Sequence, residues 1–91
     1  MKREWRLLTP SVIELLEFLY ESPDKRFEGL TKLREELNWS QAKIYNALRN
    51  VERLGFVEVE VTSKPAPTHE YHLTDKGVKA WEILRELESL L

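Results

Sequence analysis

The sequence predicts a mostly helical α+β domain, in which two helices meet at a very short turn, a β-hairpin follows at once, and a last helix closes the chain. Three observations carry this. Ile44, Leu48, Val51 and Leu54 recur every three or four positions between Ser40, a good N-cap, and Gly55, a good left-handed stop, so a helix is expected over about 40–54. Upstream, Phe27, Leu30, Leu33 and Leu37 suggest a shorter helix ending near Asn38, with only Trp39 before the Ser40 cap. Downstream the period drops to two, since Val57, Val59 and Val61 alternate with Glu58 and Glu60, and Tyr71 and Leu73 alternate with Glu70 and His72.

Taken in order, the first helix starts at Thr9-Pro10, where Thr caps and Pro fits the first turn, and stops before Ser22-Pro23. Its Val12, Ile13, Leu15, Leu16, Phe18, Leu19 and Tyr20 are too many for one narrow stripe. The next two helices, joined so tightly, must cross steeply, which is the helix-turn-helix arrangement, with Trp39 as a core plug in the turn. Between the two strands, Pro65 and Pro67 rule out regular pairing and give the hairpin a long, stiff tip. Thr74 caps the last helix, about 74–91, Asp75 suits its positive end, and Gly77 permits close backbone packing. A helix-turn-helix followed by a hairpin is a winged helix. The expected layout is one domain: an N-terminal extension over 1–9, a core of three helices and a two-stranded wing over 10–73, and a C-terminal helix over 74–91.

The 40–54 helix is also the best functional clue. Away from its apolar stripe lie Gln41, Lys43, Asn46, Arg49, Asn50 and Arg53, which offer donors to phosphates and base edges. Lys43, Arg49 and Arg53 against Glu52 leave this segment at +2 inside a chain of net charge −2. An ordinary solvated helix face is the bland alternative, and the neighbouring turn and hairpin favour the DNA reading over it.

Wording adds to pattern. RFEGL at Arg26 to Leu30, the run from Ile44 through Leu48 to Gly55-Phe56-Val57, and PAPTHEYHLTDKG at Pro65 to Gly77 resemble the winged-helix regulators of the HxlR and PadR kind, relatives of MarR. The resemblance covers about Pro10 to Leu91, and its most specific piece is YHLTDKG, Tyr71 to Gly77. It implies a bacterial or archaeal transcription regulator that binds operator DNA as a homodimer. One departure matters: HxlR-like regulators that sense oxidants do so through cysteine, and this chain has none, which excludes thiol-based sensing.

A homodimer is also what the surplus of apolar residues suggests. On the last helix Ala80, Ile83, Leu87 and Leu90 form one stripe and Trp81, Leu84 and Leu91 an adjoining one, and a single small domain covers only part of both. The expected interface joins these to the first helix and to Trp5, Leu7 and Leu8 of the N-terminal segment about a two-fold axis, the alternative being that they fold back on their own core. Such a dimer presents two 40–54 helices to successive major grooves, roughly 34 Å apart. Lys43, Tyr45, Asn46 and Arg49 are the expected groove residues, with Gln41 and Asn46 suited to adenine and Arg49 to guanine. Lys43, Arg53 and Lys64 suit phosphates, Asn50 completes the polar face, and Tyr45 has the core as its alternative place.

Other classes fit less well. There is no cysteine nucleophile and no glycine-rich phosphate loop, and Glu35 and Glu36, adjacent on a helix, diverge. His69 and His72, three apart on a strand, point to opposite faces and do not make a shared metal site. No enzyme, cofactor or metal is therefore expected. No apolar run approaches the roughly 20 residues of a membrane span, and the start MKREWRLLTP lacks a secretory core, so a cytoplasmic protein is expected. With 91 residues the chain buries roughly 60–65% of its unfolded surface, which leaves little reserve and favours association. The rival reading is a winged-helix module that binds proteins and never meets DNA; Glu58, Glu60 and Glu70 near the wing and the acidic total favour it. An effector pocket at the dimer interface is compatible with either, though no residue names its ligand.

Overall fold

A computed structural model describes residues 3–62 and 66–91. A 3-10 turn at Arg3–Leu7 leads into α1 (Pro10–Glu21), followed by β1 (Arg26–Glu28), α2 (Leu30–Leu37), α3 (Gln41–Arg53), β2 (Val57–Thr62), β3 (Thr68–Leu73) and α4 (Asp75–Ser89). The winged helix-turn-helix is present, with one strand more than expected. The sheet has three antiparallel strands in the order β1-β3-β2, not two.

Three of the four α-helices, α1, α3 and α4, begin where the sequence places a cap, whereas α2 starts after Gly29 without a side-chain cap. The Thr9 hydroxyl accepts the Val12 N–H at 3.3 Å, Ser40 accepts that of Lys43 at 3.2 Å, and Thr74 accepts that of Gly77 at 3.0 Å. Each bond satisfies one of the donors a helix start leaves open. The turn between α2 and α3 is made by Asn38 in the left-handed conformation (φ 55°, ψ 46°), which an Asn tolerates better than most residues. Trp39 packs against the core as expected, and the Lys43 ammonium lies 4.6 Å from the centre of its ring. Gly55, at φ 75°, ends the α3 segment and turns the chain into β2.

The core lies between α1, α3 and one face of the sheet. Val12, Leu15, Leu16 and Leu19 of α1 meet Leu33 of α2 and Ile44, Ala47, Leu48 and Val51 of α3, and Val57, Tyr71 and Leu73 close it from the strands. All of these are buried. Val61, expected to face inward with Val57 and Val59, is instead exposed, because β2 runs past the core towards the hairpin tip.

Phe27 does not open α2. It sits in β1, opposite Tyr71 of β3, and its ring meets that of Phe18 edge-on at 5.2 Å. The Gly29 N–H then donates to the His69 carbonyl at 2.8 Å as the chain turns from β1 into α2. A strand of three residues carries too little alternation to be seen in a sequence, and its partner β3 is distant along the chain.

The expected partner-facing set divides. Trp81 is 8% exposed, with its ring 6.4 Å from that of Tyr20, and belongs to the protomer's own core. Leu8 and Leu84 also pack on that core, and Ala80 is half-buried. For Trp81 above all, folding back on the core replaces the interface assignment. Ile83 and Leu87, each 53% exposed, remain on the surface with Leu90, Leu91 and Trp5. No helix among the described residues is long and apolar enough to cross a membrane.

Candidate nucleic-acid interface

The buried residues of α3 fix which of its side chains are presented. Ile44, Ala47, Leu48 and Val51 hold the helix from behind. Ala42, Asn46, Arg49 and Arg53, spaced by four, three and four, then form one exposed line along the opposite side. Its charged and amide groups are free to meet a groove, and Ala42 gives the line a small apolar member that the sequence reading passed over.

The two flanks of this line differ. On one, Tyr45, Arg49 and Glu52 share an open cleft with Leu30 of α2, Val59 of β2, and His69 and Tyr71 of β3. Tyr45 is 45% exposed and hence not a core residue, and its hydroxyl accepts a hydrogen bond from Gln41 Nε2 at 3.4 Å. On the other flank, Lys43 Nζ lies 4.0 Å from Glu14 Oε2 of α1, and Asn50 is half-buried. Lys43 therefore stands beside the presented line, since the charge of Glu14 and the ring of Trp39 draw its ammonium towards α1, and Asn50 stands beside that line because it lies next to the buried stripe. Lys64 lies outside the described residues.

Sheet alternation sorts the charges of the wing. Val57, Val59, His69 and Tyr71 face α3, so Glu58, Glu60, Glu70 and His72 lie on the far face. The acidic residues that argued against DNA do not interrupt the α3 side. Glu52 does, because it is in the cleft itself. Its charge adds to the effect of burial on Tyr71, with a smaller effect from Tyr45, and together they push the Tyr71 phenol up to about 12, neutral throughout the physiological range. The His69 ring lies nearly parallel to that of Tyr71, with centres 6.2 Å apart.

α2 contributes polar groups that sequence reasoning missed. Thr31 and Arg34 share a depression with Gln41 and Tyr45, and Thr31 and Lys32 face His69 and Thr68 across a second opening beside the hairpin. The signal was the three-residue spacing of Thr31 and Arg34 beside buried Leu33. Starting the helix at Phe27 obscured it.

The model of the HxlR-like helix-turn-helix family matches residues 6–91. Among solved structures, the chain is similar to "Structure of the transcriptional regulator homologue protein from Pyrococcus horikoshii OT3", with a TM-score of 0.70 and 14% identity over 98% of this chain and 94% of that one. At that identity the likeness shows the fold. No curated protein matches the chain.

Proposed function

We propose that the chain, which belongs to the HxlR-like helix-turn-helix family, is a transcription regulator that binds double-stranded operator DNA as a homodimer with α3 in the major groove. The observation that carries this is the exposed line of Ala42, Asn46, Arg49 and Arg53, on a helix whose opposite side is locked into the core. The similar Pyrococcus horikoshii structure is that of a transcriptional regulator homologue, which supports the same reading. Arg49 pairs with guanine and Asn46 and Gln41 with adenine, while Ala42 is small enough to meet a thymine methyl. Arg53, with Thr31 and Arg34 of α2, holds phosphates, Lys43 adds positive charge beside the groove, and Lys64 is assigned to phosphate from its residue type alone. The dimer is made through Ile83, Leu87, Leu90 and Leu91 of the C-terminal segment together with Trp5, and sets the two α3 helices roughly 34 Å apart on a palindromic site.

A protein-binding module is the second reading, favoured by Glu52 in the cleft and by the net charge of −2. Titration with genomic and random-sequence duplexes at several salt concentrations separates the two. Salt-steep binding is expected, with Arg49→Ala weakening a specific site by about 1–3 kcal/mol. Glu52→Gln should act oppositely, strengthening low-salt binding a few-fold, because it removes a charge that repels phosphate. Absence of binding at low salt would overturn the DNA reading in favour of the interaction module.

A further inference from the structure

The far face of the sheet, which the DNA reading does not use, gathers metal-ligating groups. Glu60 of β2 stands directly opposite Glu70 of β3, and His72 follows on the same face. One ligand atom from each of Glu60, Glu70 and His72 lies within 4.8 Å of the others. His72 is the unusual member. Its side chain is 15% exposed, and its Nε2 atom is buried with no hydrogen-bond partner, although Glu60 Oε1 is 3.3 Å away. That contact is short but is not aligned as a hydrogen bond.

We propose that Glu60, Glu70 and His72 form a binding site for a divalent transition-metal cation, with Zn²⁺ as the reference ion. One imidazole nitrogen with carboxylate oxygens is a donor set that zinc accepts, whereas calcium and magnesium prefer oxygen alone. Three protein ligands leave a fourth position for water. With bonds of about 2.0–2.2 Å to each ligand, the three groups need draw together only by small side-chain rotations. Like charges directly opposite on a sheet are otherwise destabilising, so a cation between Glu60 and Glu70 removes a cost that the pairing register imposes. Arg26 of β1, with Nη1 3.4 Å from Glu70 Oε1, offsets part of that cost and holds the carboxylate in place, leaving its second oxygen for a metal. Glu28 and Glu58 are exposed on the same face and add to its negative potential. The ion would cross-link β2 to β3 and so stiffen the hairpin.

This inference is independent of the DNA reading and is tested apart from it. Chelator-treated full-length protein is titrated with Zn²⁺ by calorimetry and with Co²⁺ by visible absorption, with thermal melting to show that each variant folds. Stoichiometric binding is expected, with a raised melting temperature for the zinc form and a Co²⁺ spectrum showing nitrogen ligation. His72→Gln and Glu60→Gln should each weaken zinc binding by at least about tenfold. Glu60 is exposed, so its variant keeps the test open if His72→Gln folds poorly. His69→Gln, changed on the opposite face, should leave the affinity unaltered. Absence of binding, an affinity insensitive to both site variants, or one lost with His69→Gln would overturn the assignment.

Discussion

Gly77→Ala is expected to destabilise the protein by about 3 kcal/mol, at the upper end of overpacking costs. Helix propensity alone predicts the opposite, a gain of about 1 kcal/mol, because Gly77 sits in the first turn of α4. The sign is set by what surrounds it. A Cβ at this position would overlap the backbone carbonyl oxygen of Phe56 and stand 3.1 Å from Leu73 Cδ2. That carbonyl cannot simply yield, since it accepts the Thr74 N–H at 3.0 Å. The Thr74 hydroxyl, besides capping α4, donates to the Gly55 carbonyl at 2.6 Å. This corner therefore fixes how α4 leaves the sheet relative to the end of α3, and an added methyl forces the two apart. Urea denaturation of the two proteins decides the matter, and a midpoint equal to or above that of the wild type would refute the contact.

The double variant Ile83→Asp, Leu87→Asp is expected to turn a dimer into a folded monomer and to weaken operator binding about a hundredfold or more, since the second half-site is then no longer reached intramolecularly. Both side chains are 53% exposed and on the surface of α4, whereas Trp81 and Leu84 of the same helix anchor it to the protomer. Two carboxylates placed there repel their copies across a two-fold axis with little disturbance of the core. Sedimentation equilibrium at micromolar concentration and thermal melting read the two effects separately. A wild-type monomer would sink the dimer, and an unaltered dimer in the variant would place the interface elsewhere.

What was legible in the sequence was local. Thr9, Ser40 and Thr74 mark helix starts because a cap acts within three residues, and the α3 stripe is visible because its period repeats over several turns. The double stripe of α4 was legible too, but not which half turns inward, because that choice depends on Tyr20 of α1 lying beside Trp81. The place of Lys43 beside the line was not legible, because Glu14, which draws it aside, belongs to a different helix. The grouping of Glu60, Glu70 and His72 needs the strand register, and reading the two histidines only against each other hid it. The exposed side of α3 was the most legible part of the candidate site, since a single helix carries most of it.

The short strand β1 has a mechanical consequence. It hydrogen-bonds to β3, which is half of the wing, and continues through Gly29 directly into α2, the helix that braces α3. Wing and brace thus share one stretch of backbone, and torsion applied at the hairpin is delivered to the start of α2 without a slack joint between them. In the proposed dimer on DNA, each copy is then expected to act as one rigid reading head. On that proposal, a mismatch between the spacing of two half-sites is expected to be absorbed by twisting the duplex or by play between the two copies, not by a hinge within either.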